Sequence, residues 1–282
     1  MSTTHSVSRC NNPQELALEI WPYRTKVACF MSFITVAVQC HNYQRRFCWM
    51  LSSLCEQTKS DLLIVDVAHL ANNGLPRTED VIASFASRLK VKTSLWTDYS
   101  QFQRRGLVRN RQLTECSTEW LLFADCDMVY HPEYFERLAA DLTHLHASAR
   151  YMLSSGRISN PKEAAIELVD SVSLERSHFV HDAFGLADKL PKIKRNNVGA
   201  GFSQIINVRE APHEGYYVPP KENRDWTWEK RHQKTKSDAQ FRRRIARAGG
   251  PRQRLPRWYT DGLIHLNHHR DKEFGRHLED QR

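Results

Sequence analysis

The chain has 282 residues, 40% hydrophobic and 26% charged, a globular composition that excludes a disordered chain and suffices for one large or two small packed domains. Lysine and arginine outnumber aspartate and glutamate 41 to 32, a formal net charge of +9, which admits an anionic partner such as a nucleotide, a nucleic acid or an anionic surface without choosing among them. The excess is C-terminal: from Lys221 onward there are 17 basic and 9 acidic residues, with an arginine tract from Arg242 to Arg257. Seven cysteines with no C-x-x-C spacing suggest neither a disulfide framework nor a structural zinc site, so a reduced, cytoplasmic setting is expected. Met1 to Pro13 is polar, and the apolar run Val27 to Val38 is shorter than the ~20 residues of a spanning helix. Neither a signal peptide nor an anchor is expected, and peripheral membrane contact through the basic C-terminal half stays open.

Phe33 to Gln39 is a short run rich in β-branched residues that ends at polar Cys40-His41-Asn42, the pattern of a buried strand stopped by a loop. Phe47, Met50, Leu51, Leu54 and Cys55 then fall on one face of a helix. Asp61 to Val67 reads as a second strand, followed by the Asn72-Asn73-Gly74 turn signal, a helix over Thr78 to Leu89 and a third strand, Val91 to Trp96. Gly106 to Cys116 is helical in pattern, and Trp120 to Ala124 is a fourth strand running into Asp125-Cys126-Asp127. Pro132 fits the first turn of a helix whose stripe is Phe135, Leu138, Leu142 and Leu145. Strands alternating with helices predict a mostly parallel sheet covered on both faces, with ligands at the carboxyl ends of the strands. That rule gathers Gln39 to Asn42, Asp66 and Asp125 to Asp127 on one rim.

After about residue 150 the alternation weakens. Ser154 to Pro161 and Lys189 to Val198 are polar and turn-rich. Phe202 to Val208 reads as a strand, Trp226 and Trp228 as part of a loop, Ser237 to Ala248 as a helix, and Gly262 to Leu266 as a last strand before His268-His269.

Two carboxylates one residue apart on a turn, as in Asp125-Cys126-Asp127, can hold a hard divalent cation and leave positions open for phosphate oxygens; the plainer reading is a strand end capping the next helix. With its surroundings the motif is more specific. The first strand ends in Asn42-Tyr43, and "LSSLCEQT" (Leu51 to Thr58), "LLIVD" (Leu62 to Asp66), "GLVRN" (Gly106 to Asn110) and "WLLFADCDMVYHPEYF" (Trp120 to Phe135) follow in order. In this the run from Ile34 to Phe135 resembles the nucleotide-binding half of GT-A glycosyltransferases, most of all the family 2 inverting enzymes.

The resemblance implies a single GT-A domain of Rossmann-like α/β type. Residues of about 30–150 would form its nucleotide-sugar-binding half, and about 151–282 its acceptor-binding and catalytic half. It implies that Asp66 binds the base of the donor, that His41 lies near the base, that Asn42 belongs to the same nucleotide-sugar site, that Arg109 approaches the nucleotide, and that Asp125 and Asp127 bind ribose and metal. Val67-Ala68-His69 and Gln39 depart from the family's usual residues, which leaves the identity of the base open.

In the second half, Gly201-Phe202, Trp226 or Trp228, and Asp238 with Phe241 and Arg244 are similar to the acceptor-side "G-G-x-F … W … E-D-x-x-L-x-x-R" pattern of galactosyltransferase-like members. Asp238 falls on the catalytic-base position and Ser237 where the pattern has an acceptor-contacting Glu. His265 matches a histidine that completes the metal site, with His268 as the alternative; imidazole joins carboxylates readily around Mn2+-type ions, so Mn2+ ahead of Mg2+ is the expected cofactor. Trp226, Trp228, Tyr216 and Tyr217 are either an acceptor-stacking platform or core aromatics. The arginine tract is either a solvated helix face or a contact for a diphosphate or anionic acceptor.

These readings converge on a metal-dependent inverting glycosyltransferase that takes a nucleotide-diphosphate sugar, of the UDP class, to a glycan, lipid or other hydroxyl acceptor. A nucleic-acid- or polyanion-binding protein using the basic tract is the rival, but no nucleic-acid module is recognisable and the carboxylates would go unexplained. A nucleotidyltransferase is the third reading; it wants a Gly-rich phosphate loop after the first strand, and Gln39 to Tyr43 has no glycine.

Overall fold

The computed structural model describes residues 32–71, 77–144, 151–153, 157–172, 178–195, 203–211, 215–216, 218, 240–241, 243–244, 252–254 and 258–267. All belong to the unit spanning Met31–Arg282. Its centre is built by β1 (Ile34–Cys40), β2 (Leu63–Leu70), β3 (Val91–Trp96) and β4 (Trp120–Ala124), which run parallel in the order β4-β1-β2-β3. Alternation along each strand sends side chains to opposite faces. Ile34, Val36, Val38, Leu63, Val65, Val67 and Leu122 join one core, under α1 (Gln44–Cys55) and α2 (Thr78–Phe85). Ala37, Ala68, Leu70, Leu121 and Phe123 face the other side, under α3 (Tyr99–Phe102) and α4 (Arg105–Thr114). With both faces covered, the central strands can be apolar almost throughout, which is the pattern their sequences carry.

The chain continues through β5 (Met128–Tyr130), α5 (Tyr134–His144), β6 (Tyr151–Leu153), β7 (Arg157–Ser159), α6 (Lys162–Ser171), α7 (Ala183–Lys189), β8 (Ile193–Arg195), β9 (Ser203–Asn207), β10 (Arg252–Arg254), α8 (Trp258–Asp261) and β11 (Leu263–His265). Three of these strands extend the first sheet to β10-β6-β9-β4-β1-β2-β3, with β9 antiparallel to both β4 and β6. The rest make a second sheet, β5-β11-β7-β8. The mixed α/β class with a mostly parallel central sheet is therefore as the sequence predicts, and no helix among the described residues is long and apolar enough to cross a membrane.

Three differences from the sequence reading have physical causes. β2 does not stop at Val67 but runs to Leu70, because Ala68, His69 and Leu70 stay paired with β1 or β3 and are buried. The turn-rich stretches Ser154 to Pro161 and Lys189 to Val198 contain β7 and β8; three residues are too few to show a period, and these strands exist by pairing with partners distant in sequence. Helix α1 is buried all round rather than on one face, with Ser52 and Ser53 inside as well. Their hydroxyls donate to Cys48 O and Met50 O and accept Val180 N–H and Tyr130 N–H, so the helix's polar residues fasten it to the covering chain. Of the helix expected over Ser237 to Ala248, only Gln240, Phe241, Arg243 and Arg244 are described, and they are helical.

Candidate active site

The carboxyl ends of β1 and β4 are neighbours, with Val38 paired to Ala124, so the turns leaving both strands share one rim. On the β1 side Asn42 takes a left-handed backbone, φ 58°, which Asn tolerates better than most residues, and this reverses the chain into α1. His41 before it sits in an aromatic corner, 5.3 Å from the Tyr99 ring and 6.1 Å from Phe102. The Gln39 amide donates to Phe102 O at 2.6 Å and ties that corner to β1. Burial pushes the His41 imidazole below its usual pKa, so it is neutral at neutral pH, offering one donor and one acceptor.

On the β4 side the three residues of the D-x-D part company. Cys126 turns into the core toward Cys40, and that neighbouring thiol together with burial raises its pKa, so the pair roots the turn. Asp125 stays partly exposed and meets the Arg105 guanidinium of α4 at 3.3 Å. Asp127 is buried and its Oδ2 lies 3.1 Å from His265 Nε2. Register explains this meeting. β11 pairs antiparallel with β5, His265 opposite Met128, and Leu266 N–H donates to Asp127 O at 2.9 Å. β11 also pairs with β7, His265 beside Ser159, whose Oγ lies 3.2 Å from His265 Nδ1. A buried chain Asp127–His265–Ser159 results, with Ser159 fixing which ring nitrogen faces the carboxylate.

A carboxylate oxygen and an imidazole nitrogen 3.1 Å apart have hydrogen-bond geometry. They also stand at the separation of adjacent ligands on a divalent cation, since bonds of about 2.1 Å at right angles put two ligand atoms about 3 Å apart. The donor pair therefore fits the expected cation. Asp125 does not complete the expected trio: it is engaged by Arg105, and among the described residues no cluster of three acidic, histidine or cysteine ligands forms.

Asp66 is not at the strand end but within β2, level with Ala37 and Lys92, and is 2% exposed. Burial lifts its carboxyl to about 6, only partly opposed by Lys92 Nζ at 3.9 Å. The residue of β2 level with Cys40 is instead His69, whose Nδ1 is 3.7 Å from Glu79 Oε1. Arg109 is buried, its guanidinium 5.0 Å from the Phe123 ring and 5.2 Å from that of Tyr216. Tyr216 is itself core, stacked on Phe241. Gly201, Phe202, Trp226, Trp228, Ser237, Asp238 and His268, with Tyr217, lie outside the described residues.

Sequence reasoning passed over Arg105 and Ser159. Arg105 had a signal, a pair of arginines opening the helix whose later Arg109 was singled out. Ser159 had none, because its strand carries no pattern.

Residues 35–163 match the family model "Glycosyl transferase family 2". Among solved structures, S. aureus TarS 1-349 in complex with UDP-GlcNAc aligns at 17% identity over 88% of this chain and 60% of that one, TM-score 0.54. The same fragment in complex with UDP aligns at 17% identity over 86% of this chain and 62% of that one, TM-score 0.52. The chain thus spans about three fifths of the length of those fragments, and the likeness is one of fold. No curated protein sequence matches. The matched segment runs from β1 past the D-x-D into α6 and takes in the strands that frame the rim, so this part of the chain is similar to family 2 glycosyltransferases, and the fold is shared with the TarS fragments.

Proposed function

We propose that the chain moves a sugar from a nucleotide-diphosphate sugar of the UDP class to a hydroxyl acceptor, with inversion at the anomeric carbon. The observation that carries this reading is the buried meeting of Asp127 and His265 at 3.1 Å, on the rim where a parallel sheet receives its ligand. The TarS complexes with UDP and UDP-GlcNAc favour the UDP class.

His41 and Asn42 would flank the base, and Asp125 the ribose. Asp127 and His265 would hold a divalent cation, Mn2+ ahead of Mg2+, which when bound supplies charge neutralisation for the departing diphosphate. Arg105, already at Asp125, would bring a second positive group to the same rim. Asp238 would take the proton of the acceptor hydroxyl while that oxygen bonds to the anomeric carbon and the carbon–diphosphate bond breaks on the opposite face. Gly201, Phe202, Trp226, Trp228 and Ser237 would seat the acceptor. Asp66 and Arg109, packed beneath the rim, would support the donor site.

Thermal unfolding with and without Mn2+ across UDP, GDP, CDP and ADP tests the reading, because a ligand that binds the native state raises its stability with occupancy. Mn2+-dependent stabilisation by UDP is the expected result; no stabilisation by any nucleotide would sink it.

A further inference from the structure

Beyond the donor rim, one contact set ties the nucleotide half to the helical residues around Phe241. The Asn110 side chain of α4 acts like a strand partner to one residue: its Oδ1 accepts Tyr216 N–H at 2.6 Å and its Nδ2 donates to Tyr216 O at 3.0 Å. The residue before must be glycine. Gly215 has φ +55°, and a Cβ there would lie 2.4 Å from Asn110 Oδ1. The far side of the same dipeptide is gripped by the C-terminal segment. Arg244 Nη1 donates to Gly215 O at 2.8 Å, and the Phe241 ring stacks on Tyr216 at 3.9 Å with only 10° between planes. The Tyr216 hydroxyl donates to Gln204 of β9, so the dipeptide is pinned to the sheet as well.

Phe241 and Arg244 are three apart on a helical segment and so share a face. Asp238 precedes Phe241 by the same interval in sequence. Helix α4 also carries Arg105, which contacts Asp125. One helix therefore touches the D-x-D through its first turn and, through Asn110, holds the dipeptide against which Phe241 and Arg244 pack.

We propose that Asn110 and Gly215 are positioning residues for sugar transfer: through the Gly215–Tyr216 backbone they fix the segment of Phe241 and Arg244, which follows Asp238 by three residues in the sequence, relative to the donor rim. The proposal rests on Asp238 being the base. It predicts a defect in turnover rather than in nucleotide binding, since misplacing a reacting group by an ångström costs on the order of 100-fold in rate.

The test compares full-length wild type, Asn110→Ala, Arg244→Gln and Asp238→Asn. The measurements are Mn2+-dependent UDP release from UDP-GlcNAc, UDP affinity, and amide hydrogen exchange across residues 237–247. Asn110→Ala and Arg244→Gln are each expected to slow turnover ~10- to 100-fold, keep UDP affinity within roughly 2-fold, and speed exchange in that segment. Arg244→Gln carries the test if Asn110→Ala fails to fold. Unchanged turnover in a variant whose exchange has sped up overturns the proposal, as does unchanged exchange in both variants. If Asp238→Asn keeps wild-type turnover, the assignment of the base fails instead. A wild type that releases no UDP tells against the donor class, and the exchange data then decide the clasp alone.

Discussion

The two sheets of this molecule solve different problems. The central strands of the large one are five to eight residues long, parallel and covered by helices on both faces. Every strand of the small one has three residues, and its members come from widely spaced parts of the chain. The large sheet frames the rim and presents Asn42 and Asp125 at its edge; the small one brings His265 and Ser159 to Asp127. A frame needs burial, which is spread over many residues and tolerant of detail. A single contact between two side chains needs register, which one short strand can set.

That division can be broken at either sheet. Leu122→Ala, at a fully buried site in β4, is expected to cost about 3 kcal/mol of unfolding free energy in a denaturant titration, through lost burial and the cavity left behind. Asp127→Ala is expected to leave the frame folded and weaken Mn2+-dependent UDP binding about 100-fold by calorimetry, with Ser159→Ala producing the same signature at about 10-fold. If Ser159→Ala instead lowers stability and leaves binding alone, the small sheet is structural and the contrast fails.

Asp66 sharpens the frame side. Its folded pKa, about 6, lies above its ordinary 3.8, so the protonated form is favoured in the fold. The associated stability is fully present below the unfolded value and is lost as pH rises through about 6. Asp66→Asn is therefore expected to be more stable than wild type near neutral pH, by roughly 2 kcal/mol in a denaturant titration, with the difference closing as pH falls toward 4. A parallel loss of UDP affinity would mark Asp66 as a nucleotide ligand as well. At the rim, Asn42→Ala is expected to cost ~1 kcal/mol, with Asn42→Gly recovering most of it, because only the first forces a Cβ-bearing aliphatic residue to φ 58°. The smallest effect is at Arg105, where the half-exposed pair with Asp125 is worth under about 1 kcal/mol and Arg105→Ala should leave thermal stability nearly unchanged.

The same contrast decides what the amino-acid sequence reveals. β3 and β4 fall where the pattern of apolar residues puts them, and β1 and α1 within a residue or a few, because burial leaves a periodic trace. β7 and β8 lie in stretches that read as turns, since their stability comes from partners elsewhere in the chain. Within the site, Asp125, Asp127 and His265 were legible as a motif and a family position, and the structure brings the last two together. What sequence could not give is the parting of the D-x-D, Asp125 to Arg105 and Asp127 to His265, since it depends on Cys126 being drawn into the core. Nor could it show that β2 overruns Asp66. Val67-Ala68-His69 reads as a departure from a strand end, whereas in the fold it is more strand.

Asp127 and His265 are 138 residues apart, and the histidine sits on the last strand described. During synthesis the first half can leave the ribosome and collapse while Asp127 still lacks its histidine partner. A molecule cut short before β11 would keep the central strands and lack the imidazole, as would copies with β11 undocked. On the function proposed above, activity waits on the docking of β11 against β5 and β7.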